Sequence, residues 1–253
     1  MQTQPEGFSR HISQQFNHEL ESIRTEMLAM GGIVERQVRD AIRALTENNP
    51  KLAEESRQLD QQTNQMELSI DDQCTKTIAI RQPTASDLRL IVSISRSVSD
   101  LERIGDEASR ICKHAIEIYN SGEKPQGYQE VRHISALVTE MVSDVLTAFA
   151  RRDLAMAYRV AKQDIRVDTE YRSAMRSLVT YMMEDPRSIS VVLNIMWVLR
   201  SLERIGDHAR NLSEHLIYQV SGSDVRHQTL KSIKQALRDD SPDDELDLNP
   251  NSE

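Results

Sequence analysis

Two carboxylates four residues apart occur twice in this chain, as Glu102 with Asp106 and as Glu203 with Asp207. Each pair lies inside the same string, Leu-Glu-Arg-Ile-Gly-Asp, at 101–106 and 202–207. On a helix this spacing stacks two acids one turn apart on one face, where they repel. At about 100° per residue, Glu203 and Asp207 fall on the side of Val192, Met196 and Leu199, and Glu102 and Asp106 on the side of Ile91, Val92 and Val98. Acids on an apolar face must be paired, protonated or bound to a cation, because burying an unpaired charge costs several kcal/mol. The chemistry these residues could do is therefore coordination of an oxygen-preferring metal ion. Arg103, Arg110, Arg204 and Arg210 stand close in sequence and could neutralise the acids without any metal. The spacing leaves both readings open.

Helices must position these acids. The identical strings sit at an offset of 101 within a longer similarity that pairs Leu88, Ile91, Ile94, Leu101, Ala108 and His114 with Ile189, Val192, Ile195, Leu202, Ala209 and His215. The chain is a duplication. Ile12, Phe16, Leu20, Ile23, Met27, Met30, Val34, Val38, Ala41 and Leu45 alternate spacings of three and four, which predicts a helix over about 8–45. Gly31-Gly32 within it marks a bend or a close helix crossing, and Asn48-Asn49-Pro50 stops it. A second helix is expected over 51–80 on Leu52, Leu59, Met66, Ile70 and Ile78. A third opens at Pro83-Thr84-Ala85-Ser86-Asp87, with Thr84 or Ser86 as N-cap. The linker Ser121-Gly122-Glu123-Lys124-Pro125-Gln126-Gly127 leads to helices over about 128–150, 154–183 and from 186 to 218. In the fifth, Ala157, Val160, Tyr171, Met175, Leu178 and Met182 form a stripe whose two missing positions are Asp164 and Asp168, a third inward pair of acids. The expected division is a first three-helix unit at 1–122, a second at 123–222, and a short helix with an acidic tail at 223–253.

Composition supports an all-α fold. Aromatics are 4% of the residues, with 8 glycines and 7 prolines in 253 residues. The formal net charge is −9, and seven acids without a base lie in the last fifteen residues, so no basic surplus points to nucleic acid. Cys74 and Cys112 form no Cys-x-x-Cys, which fits a reducing compartment. Glu6, Arg10 and His11 interrupt the apolar run a signal peptide needs, and no stretch of 18 apolar residues occurs. A cytoplasmic location is expected.

The strings Arg81-Gln82-Pro83-Thr84-Ala85-Ser86-Asp87-Leu88-Arg89 and Thr180-Tyr181-Met182-Met183-Glu184-Asp185, together with the two Leu-Glu-Arg-Ile-Gly-Asp copies, carry a family likeness. The chain resembles the PhoU family, cytoplasmic regulators associated with the high-affinity phosphate transporter, over nearly its whole length. The resemblance implies two tandem three-helix bundles related by pseudo-twofold symmetry, six long helices in all, and frequent homodimerisation. It implies iron, zinc, manganese or magnesium bound through Glu/Asp-x-x-x-Asp motifs, which fall here on Glu102 and Asp106 and on Glu203 and Asp207. The family's supporting acids on each middle helix fall on Asp60 and Asp164. Asn64 then stands opposite Asp168, and an amide brings no charge, so the first site is expected to bind metal more weakly. The resemblance further implies repression of phosphate-starvation genes through contact with the transporter's ATPase subunit and a phosphate-sensing histidine kinase, so that the membrane is met only through those partners.

A helical metal-dependent enzyme is the competing reading. A di-iron oxidase would need two Glu-x-x-His motifs, and only Glu130 to His133 provides one. No phosphate-cradling glycine loop, Gly-x-Ser-x-Gly or His-Glu-x-x-His occurs. The chain is therefore read as a non-enzyme. His114 and His215 are read as structural or surface residues, and His208, facing about 100° away from Asp207, is given no role.

Overall fold

The computed structural model describes residues 6–122, 128–226 and 234, with side chains from residue 14 in the first helix. The described residues form six helices: α1 (Glu6–Thr46), α2 (Pro50–Arg81), α3 (Ala85–Ser121), α4 (Tyr128–Arg151), α5 (Leu154–Glu184) and α6 (Ile189–Ser221). A single 3-10 turn, Pro186–Ser188, precedes α6, and no strand occurs among the described residues. The expected linker core at 123–127 and nearly all of the expected helix and tail after Val225 lie outside the described residues.

Duplication shows in the punctuation. α1 and α4 both end in a left-handed residue, Asn48 at φ 55° and Arg152 at φ 56°. The next residue caps the following helix: Asn49 Oδ1 accepts from the Leu52 amide at 3.1 Å, and Asp153 Oδ1 from the Met156 amide at 2.9 Å. α3 and α6 end alike, on Gly122 at φ 69° and Gly222 at φ 75°, positions that a side chain would strain. Thr84 holds the N-cap position of α3 but its side chain makes no capping bond, while Asp87 lies in the first turn as expected.

α1, α2 and α3 pack on one another, as do α4, α5 and α6; the two bundles meet along α3 with α6 and along α1 with α4. α3 and α6 run antiparallel, since His114 near the end of α3 meets Asn194 near the start of α6 and Asp100 early in α3 meets His215 late in α6. The apolar stripe read along α1 is buried from Leu20 to Leu45. Gly31 is a close crossing: a methyl there would run into the Leu146 side chain of α4. α4, at 24 residues, is long and apolar enough by composition to cross a membrane, yet Val131, Ile134, Val138, Met141, Val142 and Val145 on its inner face are buried in the core.

α2 departs from the expected stripe. Ile78 is exposed, and the buried positions are Ala53, Ser56, Thr63, Ile70, Cys74 and Thr77. The inward face of α2 is small and polar, so a search for large apolar residues picks out its flanks. Filling the three-and-four spacing of that face brings in Asp60 and Glu67, both half-buried.

Candidate functional site

Each repeated string turns Leu, Ile, Gly and the following Ala into the core and leaves its acids at the margin of that face. Leu101, Ile104, Gly105 and Ala108 on α3 are buried, as are Leu202, Ile205, Gly206 and Ala209 on α6. Glu102 and Asp106 are half-buried in the groove toward α2; Glu203 is half-buried and Asp207 exposed at the rim toward α5. The expectation of acids on the interior face is corrected to this extent: the helical step of 100° places them one residue off the most buried positions. Of the expected set only Asp164 is fully buried, at 4% exposure. Asp168 stands at the edge of its stripe, which runs through buried Val167 instead, and it accepts from Arg172 at 2.9 Å.

The middle helix of each bundle packs close over the glycine of each string. A methyl on Gly105 would stand 3.5 Å from Thr63 Cγ2 and 3.9 Å from Asp60 Oδ1; one on Gly206 would stand 3.4 Å from Val167 Cγ1 and 3.7 Å from Asp164 Oδ1. The same geometry thus seats Asp60 beside Glu102 and Asp106, and Asp164 beside Glu203 and Asp207. Burial, then the Asp106 charge, raises the affinity of Asp60 for its proton. Glu102 is raised by burial, Asp106 and Glu67. In the second cluster burial and Asp207 raise Glu203, and burial and Asp168 raise Asp207. Asp164 is pushed up to about 6 by burial, against a hydrogen bond from Arg210 that lowers it. Negative charge is concentrated here beyond what the neighbouring arginines offset.

Those arginines do reach part of each cluster. Arg103 lies 3.5 Å from Glu102 and 3.9 Å from Asp106, Arg200 donates to Glu203 at 2.8 Å, and Arg210 Nη1 to Asp164 Oδ2 at 3.2 Å. Arg110 and Arg204 turn elsewhere, both to Glu107, at 2.5 and 2.8 Å. Buried oxygens remain without a partner: Asp60 Oδ1, Asn64 Oδ1 and Glu203 Oε2. Oxygen donors, surplus negative charge and unpartnered acceptors are the chemistry a hard cation takes, so the residues fit such an ion. Among the described residues no three acids, histidines or cysteines are drawn into a finished coordination sphere, and side chains would have to close on an ion.

Glu67 was not singled out from the sequence, although it lies two turns from Asp60 on the same face of α2. It repels Glu102 and accepts from Ser99 at 3.1 Å. It supplies the first cluster with a fourth carboxylate to match the four of the second. Charge count therefore does not separate the two sites, and the expectation of a weaker first site rests on the amide of Asn64 alone.

The PhoU domain pattern matches the chain twice, over residues 27–115 and 131–216. The chain belongs to the PhoU family. A Pseudomonas putida protein named phosphate-specific transport system accessory protein PhoU homolog is 60% identical over 228 residues, 90% of this chain and 89% of its own length. The Escherichia coli accessory protein PhoU is 46% identical over 87% of this chain and 91% of its own. The crystal structure of PhoU from Pseudomonas aeruginosa superposes with a TM-score of 0.81 at 59% identity, covering 82% of this chain and all of that one. That of the phosphate transport system regulatory protein PhoU from Streptococcus pneumoniae gives 0.76 at 28% identity, over 82% and 98%. Six helices and a twofold domain match are consistent with the pseudo-twofold arrangement the family resemblance implies.

Between the two PhoU repeats lies a polar contact that the sequence did not reveal. Asp100 of α3 accepts from His208 Nδ1 at 2.7 Å, His215 Nε2 at 2.8 Å and Asn211 Nδ2 at 3.1 Å, all on α6. The absence of a role for His208 is corrected: facing away from Asp207 is facing toward α3. His215 is structural as expected, and His114 stacks on Trp197 with rings 6.4 Å apart while meeting Asn194 at 2.8 Å. No local spacing marks Asp100, because its three partners lie more than a hundred residues away.

The glycine approach in the second PhoU repeat can be tested directly. Gly206→Ala meets its neighbours at ordinary contact distance and gains about 1 kcal/mol of helix propensity, so stability is expected to hold or rise. Gly206→Leu has to displace Val167 and Asp164 and is expected to lose about 1–3 kcal/mol. Urea denaturation of the two variants checks both signs.

Proposed function

We propose that this chain is the regulatory accessory subunit of a phosphate-specific transport system. It keeps phosphate-starvation genes repressed while phosphate is plentiful, by contacting the transporter's ATPase subunit and a phosphate-sensing histidine kinase. It works in the cytoplasm as a homodimer and meets the membrane only through those partners. Glu102, Asp106 and Asp60 in the first bundle, and Glu203, Asp207, Asp164 and Asp168 in the second, hold divalent or trivalent metal ions, iron, zinc, manganese or magnesium, that fix the spacing of the paired helices. The observation that carries this reading is 60% identity along nearly the whole chain to a protein named as a phosphate transport accessory protein. The relatives' names as accessory proteins speak for regulation and against the competing enzyme. The unpartnered oxygens of Asp60, Asn64 and Glu203 support the metal ions.

Deleting the gene is expected to turn on a phosphate-starvation reporter in phosphate-rich medium, and the intact gene to silence it again. Normal silence in the deletion strain would overturn the regulatory role. Elemental analysis of protein purified without chelators is expected to find one of these metals, lost when Glu102, Asp106, Glu203 and Asp207 are replaced by their amides.

A further inference from the structure

Under the first cluster lies a polar pair that the second lacks. Gln37 of α1 is 1% exposed, and its Oε1 accepts from the Thr63 hydroxyl at 3.0 Å. Its other amide atom, Nε2, is a buried donor with no acceptor. Nearby is a buried acceptor with no donor, Asp60 Oδ1. Both residues crowd the same point: a methyl on Gly105 would lie 3.3 Å from Gln37 Oε1 and 3.9 Å from Asp60 Oδ1. The offset of 104 between the starts of the two domain matches, which equates Asn48 with Arg152 and Asp60 with Asp164, puts Met141 opposite Gln37 and Val167 opposite Thr63. Met141 and Val167 are fully buried. At the matched positions the first bundle carries an amide and a hydroxyl where the second carries a thioether and a methyl, and the second bundle's acid takes its hydrogen bond from Arg210 of α6 instead.

An unpaired buried donor is destabilising, and replacing both members of such a pair by apolar groups of similar shape is close to neutral. The second bundle has made that replacement. Retention of the costly pair in the first points to a partner for Nε2 that forms only when the carboxylates move. Closing the acids on an ion moves them, and a ligating carboxylate is held by hydrogen bonds to the oxygens that the metal leaves free.

We propose that Gln37 is a positioning residue of the first cluster, donating through Nε2 to the Asp60 carboxylate when that cluster holds a divalent cation, with Thr63 fixing the amide's orientation. The inference rests on the metal-binding reading given above. It makes the two sites chemically unequal: the first acid is supported by a neutral amide from α1 and the second by the Arg210 guanidinium from α6.

The test uses the full chain with Glu203→Gln and Asp207→Asn, so that only the first cluster reports, titrated with Mn2+ in a calorimeter. Gln37→Met, which installs the second bundle's residue, is expected to weaken Mn2+ roughly 10–100-fold, while the thermal midpoint in chelator holds or rises because the orphan donor is gone. Thr63→Val, which frees the amide to rotate, is expected to weaken Mn2+ in the same direction and serves if Gln37→Met does not fold. Unchanged Mn2+ affinity in a folded variant overturns the positioning role and leaves the metal site standing. An unmodified chain that binds no Mn2+ overturns this inference, and one that also carries none of the four metals overturns the metal reading with it.

Discussion

Replacing Asp164 with asparagine is expected to stabilise the cation-free protein at neutral pH. Its carboxyl is 4% exposed, and its pKa stands at about 6 against an ordinary 3.8. A carboxyl that holds its proton more tightly in the fold than in the unfolded chain penalises the fold once it ionises. Below pH 4 both states are protonated and the penalty is absent; it builds between about 4 and 6 and is complete above 6. Two pKa units correspond to about 3 kcal/mol, a net shift in which the hydrogen bond from Arg210 is already included, so a gain of up to about 3 kcal/mol is expected. For a chain of this size that is a rise of several degrees in thermal midpoint, at about 2–4 °C per kcal/mol. The measurement is the midpoint in chelator at pH 4.5 and pH 7.5. The unmodified protein should lose stability across that interval and Asp164→Asn should lose less. A variant no more stable than its parent at pH 7.5 would show that the Arg210 pair, and not a surplus of negative charge, governs the second cluster. Mn2+ should stabilise the parent more than the variant, since an ion and a neutral amide relieve the same repulsion.

Replacing Asp100 with alanine works in the other direction. Its carboxylate receives three hydrogen bonds from α6 and is held down to about 2, the bonds from His208, His215 and Asn211 outweighing the burial that opposes them. The stability this provides is fully present above pH 3.8 and is lost as the pH falls through about 2. Alanine strips the acceptor from His208, Asn211 and His215 together, of which His215 is buried. Removing one member of a fully buried charged network costs about 3–5 kcal/mol; for this partly buried one that is the upper bound, so a fall of up to about 6–20 °C in thermal midpoint is expected. Asp100→Asn keeps one acceptor oxygen and should fall less. Because Asp100 lies on α3 and its partners on α6, the loss should appear as loosened contact between bundles, read as faster amide exchange along both helices. A loss below about 1 kcal/mol for alanine would mean that the Asp100 contacts add little to the joining of the halves.

The repeat-related arginines show why one part of the site was legible and another was not. Arg103 and Arg204 occupy the same place in identical strings, yet Arg103 lies within 4 Å of Glu102 and Asp106 in its own string while Arg204 crosses to Glu107 of the other bundle at 2.8 Å. Spacing along a helix tells which residues share a face; it does not tell what stands opposite. Asp164 and the paired motifs could be read because they fall on a periodic face or recur, whereas Asp60 was reached only through the family resemblance. Glu67 had the right period but was passed over because the face it belongs to is lined by Ala53, Ser56, Thr63 and Thr77 rather than by large apolar residues.

By itself, the sequence determined the all-α fold, the six helices to within a few residues, the twofold repeat and the two acid motifs. All of these follow from local rules: helical period, caps, glycine at helix ends, and identity between copies. Only the tertiary structure decided how deep each acid lies, that Asp164 is buried while Asp207 reaches the rim, that Asp100 joins the bundles, and that Gln37 and Thr63 underlie one cluster while Met141 and Val167 underlie the other. Depth and partnership depend on which helix packs against which and in what register, and that is settled by the summed burial of six helices rather than by any residue's neighbours in the chain.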